Sequence, residues 1–209
     1  MKLLFRISFF LLLFLSSCGT NQVVKDYNSI PIDVSTLDVP YFSNSETDYV
    51  YKANISVYGN ELSGIFIAKK INETTHRVVF TTEFGNKLLD FEISEIDYKV
   101  NFILEELDKK ILIKTLVNDF RLLLRHHYNV YYKFENDADI VYQAPEGDKM
   151  NYLFISKDTK KLSKIVHSSK RKAIIYVLYT AKNDFFAENI VIQHQNIKLK
   201  IALNYFKSE

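Results

Sequence analysis

Apolar and polar residues alternate with a period of two along most of this chain, the pattern of half-buried β-strands. In 49–58, Tyr51, Ala53, Ile55 and Val57 alternate with Lys52, Asn54, Ser56 and Tyr58, and Gly59-Asn60 then reads as a turn. Further strands are predicted over 62–69, 76–82, 88–93, 97–104, 128–134, 139–143, 151–156, 162–167 and 172–180. The stretch 196–206 is the most regular: Ile197, Leu199, Ile201, Leu203 and Tyr205 face one way, and Asn196, Lys198, Lys200, Ala202 and Asn204 the other. One segment departs from this period. Over roughly 105–126, Leu107, Ile111, Leu116, Phe120, Leu123 and Leu124 recur at spacings of three and four, which predicts one amphipathic helix. The β-branched run Ile111-Leu112-Ile113 leaves its start open to a strand reading. About ten consecutive strands around one helix imply a mainly β, α+β domain: an antiparallel curled sheet, a half-open barrel with a helical lid or plug.

The first residues do not belong to that domain. Lys2 and Arg6 precede an almost wholly apolar stretch over 3–15, a signal-peptide core too short to span a bilayer comfortably. Leu15-Ser16-Ser17-Cys18 resembles the bacterial lipobox, in which the cysteine receives a diacylglyceryl group, cleavage frees its amine and a further acyl chain is added. Cys18 is the only cysteine. The resemblance implies a signal peptide over 1–17, a lipidated Cys18, and a chain held on a membrane by acyl groups alone. Residues 18–48, with Pro31, Pro40 and the run Ser43-Asn44-Ser45-Glu46-Thr47-Asp48, read as a tether of ~30 Å root-mean-square reach if flexible, in which Val23, Ile30, Ile32 and Val34 are candidates to touch the domain. Residues 49–209 then form one domain. Gly19 after the cysteine, where some bacterial lipoproteins carry an Asp that retains them at the inner membrane, makes the outer membrane of a Gram-negative bacterium, on its periplasmic face, the expected location.

Charge adds little. The chain has 27 basic and 25 acidic residues, and losing Lys2 and Arg6 leaves 25 of each. A neutral chain gives no bulk reason to bind nucleic acid. No catalytic motif stands out, and no enzyme, cofactor or metal is expected. His76, His126, His127, His167 and His194 read as structural or surface residues; neighbours such as His126-His127 point about 100° apart on a helix and do not easily share an ion. The pairs Glu105-Glu106 and Asp137/Asp139 have no fixed partner for acid–base work. Aromatic content does matter: 16 Phe and 14 Tyr exceed what one helix can cover. The residues leave two readings open, a thick filled core or a cavity for a water-averse ligand.

Two stretches resemble a known family. Residues 53–93, ANISVYGNELSGIFIAKKINETTHRVVFTTEFGNKLLDFEI, and 187–206, AENIVIQHQNIKLKIALNYF, are similar to the LolA/LolB lipoprotein localisation family. The resemblance implies a half-closed barrel with a helical lid whose cavity takes lipoprotein acyl chains. The lipobox points to the lipid-anchored receptor type, expected as a monomer with acylated lipoproteins or lipid as ligand and a periplasmic LolA-like carrier as partner. In that family a turn between two strands carries a protruding apolar residue that helps insert cargo into the membrane; Phe84, before Gly85, matches it. The cavity wall is expected to draw on Phe66, Phe80, Phe91, Phe102, Ile175, Val177, Ile192, Leu199 and Ile201, subject to strand register. The turn has Glu83 where the family usually has Pro, Ala187 stands where a Pro commonly opens the closing strands, and there is no Trp. A same-fold lipoprotein for another hydrophobic ligand, and a structural surface lipoprotein with a filled core, remain alternatives.

Overall fold

A computed structural model describes residues 22–206. The expected signal peptide and Cys18 lie outside the described residues. The strands are β1 (Asn28–Ile30), β2 (Thr36–Asp38), β3 (Asp48–Val57), β4 (Asn60–Lys70), β5 (Thr75–Thr81), β6 (Lys87–Ser94) and β7 (Tyr98–Ile103). A 3-10 turn (Glu105–Leu107) and helix α1 (Lys110–Leu124) follow. Then come β8 (His127–Asn129), β9 (Tyr132–Glu135), β10 (Asp139–Glu146), β11 (Lys149–Ser156), β12 (Leu162–Ser169), β13 (Lys172–Ala181), β14 (Ala187–His194) and β15 (Leu199–Tyr205). Thirteen of these strands form one sheet, ordered β1-β9-β10-β11-β12-β13-β14-β15-β3-β4-β5-β6-β7, and β2 pairs with β8 apart from it. Every ladder is antiparallel. The sheet does not close: β1 and β7 end it without pairing to each other.

Period-two alternation made the strands legible, and tight turns join them. Tyr58 and Gly59 take positive φ between β3 and β4, and Gly85 does so between β5 and β6, backbone states that glycine adopts without a steric cost. Gly64 has a different task. A Cβ built there falls on the Thr81 carbonyl oxygen, so the missing side chain lets the end of β5 fold closely over β4. The register shift between Phe80 and Thr81 lies at the same corner, a bend that increases the curl of the sheet.

Helix α1 is shorter than the pattern predicts: its first five residues form the 3-10 turn and a break. Lys109 caps it without a side-chain hydrogen bond. The run Ile111-Leu112-Ile113 is helical, and Ile111 points to solvent. The packed face is instead Ile113, Leu116, Val117, Phe120 and Leu123, spaced i, i+3, i+4, i+7, i+10. Phe120 meets Phe66 of β4 at 5.3 Å between ring centroids.

The tether expected over 18–48 is not one across its described part. Val24 is buried on the outer face of the sheet with Val141, Tyr152, Phe154 and Val166, and the Tyr27 ring meets Phe154 edge-on at 5.8 Å. Val39, Tyr41 and Phe42 join the main core, where Tyr41 stacks on Tyr179 at 5.1 Å and Phe42 lies 4.9 Å from Tyr49. The sequence-based boundary at 49 therefore falls too late. Prolines and polar residues between these anchors mask them, because isolated apolar residues carry no periodic signal. The same packing answers why part of the sheet is apolar on both faces: residues 23–27 cover the outside of β10–β13.

Candidate ligand cavity and the exposed Phe84 turn

A cavity of about 520 Å³ lies beside the C-terminal half of α1. Its apolar wall includes Ile93 of β6, Leu122 and Leu124 of α1, Ile174 and Ile175 of β13, and Ile197, with the exposed Ile96 only at its rim. Its polar wall carries the charged Glu73, Glu95, Arg121, Arg125, Glu146 and Lys149, together with His76, His126, His167 and His194, side chains from β5, the segment after α1, β12 and β14. Reading them singly as structural or surface residues missed their convergence, because nothing in the sequence links positions so far apart; only the curl of the sheet brings them together.

Each imidazole has a distinct setting. His76 Nε2 is 2.9 Å from the Phe42 carbonyl oxygen, so Nε2–H donates, and burial pushes the group down to about 4. The His126 ring lies 6.3 Å from it and is lowered by burial and by the Lys70 charge. His167 Nδ1 donates to Asn151 Oδ1 at 2.6 Å, and burial lowers that group too. His194 Nε2 donates to both carboxylate oxygens of Asp119, at 2.8 and 2.9 Å. Asp119 is fully buried on α1; burial pushes its carboxyl up, while His194 pulls the other way. Neutral His76 and His167 each turn one unprotonated ring nitrogen away from these partners. Among the described residues no three His, Cys, Asp or Glu side chains are grouped to hold a metal ion.

Polar bonds fasten the helix along this cavity. Arg121 Nε donates to the Ser94 carbonyl at 2.7 Å and Nη2 to that of Asp97 at 3.1 Å. Arg125 pairs with Glu146 at 3.3 Å and lies over the Tyr128 ring at 4.7 Å. Asn151 Nδ2 in turn donates to Glu146 Oε2 at 2.7 Å. The helix thus acts as a lid bonded to the turn after β6 on one side and to β10 and β14 on others.

The nine expected wall residues separate into three groups. Ile175 lines the cavity. Phe66, Phe80, Phe91, Val177, Ile192, Leu199 and Ile201 face inward as expected but are buried in the solid core around α1; they pack against the helix and each other and do not line the cavity. Phe102 is on the wrong face. A register shift opposite Asp90/Phe91 pairs Val100 with Phe91 and Phe102 with Asp90. That bulge turns Phe102 to the outer face, where it is 41% exposed with Lys87 Nζ 5.9 Å from its ring. Uninterrupted alternation cannot anticipate a bulge.

The β5–β6 turn presents Phe84 outward. Its ring is 94% exposed. The turn is closed without it: Thr82 N–H donates to the Asn86 carbonyl at 2.8 Å, Gly85 N–H to the Thr82 carbonyl at 3.0 Å, and Asn86 N–H to Thr82 Oγ1 at 3.1 Å. Gly85, at φ +85°, has open space around it.

No family model matches the chain, and no curated protein matches it. Among solved structures, it is similar to that of a LolA superfamily protein from Nitrosomonas europaea, with 9% sequence identity and a TM-score of 0.49 over 79% of this chain and 87% of that one. It is also similar to a DUF1329 family protein from Desulfovibrio piger, with 11% identity and a TM-score of 0.38 over 77% of this chain and 84% of that one. Both likenesses are of fold, at identities that carry no residue roles.

Proposed function

We propose that this protein is a non-catalytic, lipid-anchored carrier that holds an acyl chain beneath α1 and passes acylated cargo to a membrane. The observation that carries this reading is the cavity between the helix and the curled sheet. Its volume of about 520 Å³ lies within the ~300–1,000 Å³ range of ligand pockets. A chain of ~16 carbons gains on the order of 12 kcal/mol from leaving water, and the apolar side of the cavity, Ile93, Leu122, Leu124, Ile174, Ile175 and Ile197, can supply part of that without an energy source. In the finer form of this reading the cargo is a lipoprotein delivered by a soluble LolA-like carrier, and this chain is its outer-membrane receptor. Acylation at Cys18 would anchor it. Five residue steps from Cys18 to Val23 reach at most ~18 Å, so the packed domain would sit close to the lipid; the exposed Phe84, at the end of β5–β6 opposite the cavity, would be a second contact with it.

The imidazole-rich, charged wall of the cavity suits a polar head group. This observation favours a second reading, in which the ligand is a single-chain lipid. Binding of a fluorescent fatty acid, with Ile175→Trp as the blocked variant, tests the shared claim: no uptake by the unaltered protein refutes it. Mass spectrometry of co-purified material separates the two readings, by finding triacylated protein or free lipid.

A further inference from the structure

Strand β7 ends the large sheet, and among the described residues nothing pairs with its outer side. The other end of the sheet is blunted, because β1 has only three residues. Six-residue β7 is not blunted. Its hairpin with β6 closes through Ser94 N–H to the Asp97 carbonyl at 2.9 Å, and Glu92 then pairs with Lys99 and Ile93 with Tyr98. Antiparallel alternation therefore directs the N–H and C=O of Tyr98 and Val100 away from β6. The side chains of these two residues are 41% and 37% exposed, and the fully exposed Ile96 lies just before them. The Tyr98 N–H is taken by Asp97 Oδ1 at 2.7 Å, which leaves the Tyr98 C=O and the Val100 N–H and C=O; unpaired backbone groups beside apolar side chains are a template for an added strand.

Two features choose the occupant. The edge begins where the cavity ends: Ile93, Ser94, Glu95 and Ile96 line the cavity and lead directly into β7. The immediate flanks of the strand are acidic, with Glu95 and Asp97 before it and Glu105, Glu106 and Asp108 after it, against Lys99 within it, Lys87 beside Phe102 and Lys109-Lys110 one step further on. Two copies of β7 paired antiparallel would set one acidic flank against the other, a repulsive arrangement. We propose that the β7 edge receives an extended, basic-flanked polypeptide segment, the stretch that follows the acyl chain of a cargo held in the adjoining cavity. The acyl part of this statement rests on the function proposed above; the added strand does not.

The test uses the purified full chain and a synthetic peptide of alternating valine and threonine with two lysines at each end. Amide hydrogen exchange should slow at Val100, and along the peptide's own backbone, when the peptide is present. Val100→Pro should abolish this, because it removes an outward N–H while keeping the ladder to β6, a position where an edge strand tolerates proline; circular dichroism and an unchanged melting temperature establish that the variant folds. A palmitoylated copy of the peptide should bind at least about tenfold tighter than the plain one. No protection, equal protection by a glutamate-flanked peptide, or a dimer that Val100→Pro dissolves would each overturn the proposal. Fatty-acid uptake that fails while the plain peptide still protects β7 sinks the carrier reading and leaves the added strand standing; the reverse result sinks the strand alone.

Discussion

Replacing Phe84 separates membrane contact from folding. At 94% exposure the ring contributes almost nothing to the core, and the hydrogen bonds that close its turn come from Thr82, Gly85 and Asn86. Phe84→Ser and Phe84→Glu should therefore melt within about 1 °C of the parent, as surface substitutions do. Burying a phenylalanine side chain yields about 1.5–3 kcal/mol, and nearly all of it is still available here. A gain of about 2 kcal/mol corresponds to roughly 30-fold in partitioning. The acyl anchor would hide so small a term, so the measurement uses Cys18→Ser chain floated with phosphatidylcholine–phosphatidylglycerol vesicles. Phe84→Ser should lower the bound fraction by about that factor, and Phe84→Glu further, since it adds a charge to be desolvated. Flotation equal to the parent by folded Phe84→Ser would refute the reasoning, because no other property of the turn changes.

Acid should weaken the fold. The folded pKa of His76 is about 4, below its unfolded value near 6.5, so the unfolded state takes up the proton first. Its contribution is whole above pH ~6.5 and is lost as pH falls toward 4, by about 3 kcal/mol in total; His126 and His167 act in the same direction. Asp119, pushed up by burial, opposes part of the loss. Urea midpoints at pH 7.5 and 5 decide this, and an equal or higher midpoint at pH 5 contradicts it. Gly64→Ala should cost about 3 kcal/mol or more, or prevent folding, because its Cβ meets the Thr81 backbone; a wild-type melting temperature would show that the corner relaxes freely. Asp90, buried on the outer face, accepts from Arg77 at 2.7 and 2.9 Å and from Lys87 at 2.8 Å, and the Arg77 hydrogen bonds hold its carboxyl well below the usual range. Both cations are half-exposed and stay hydrated without it, so Asp90→Ala should cost about 1–2 kcal/mol by denaturant unfolding, and a neutral result refutes that pairing.

Most strands of the large sheet, their antiparallel pairing and the single helix were legible because alternation and three-to-four spacing are local properties of the chain; the short β1 and β2 were not, nor was β14 from alternation, and the strand expected over 128–134 is instead β8 and β9, which belong to different sheets. Phe84 could be singled out for the same reason: a large ring beside Gly85 is anomalous in any turn. The inward direction of Phe66, Phe80, Phe91, Val177, Ile192, Leu199 and Ile201 followed from parity along each strand. Parity says which way a side chain points and nothing of what fills the space it points into. Only the seating of α1 on those residues decided that they are solid core and that the open volume lies beside the helix end. Phe102 failed at a bulge, which shifts register by one residue with no mark in the sequence. Tyr41, Phe42 and Val24 were hidden because non-periodic segments find their burial through distant strands. The four cavity histidines are joined by curvature, a property of the whole sheet that no window of sequence contains.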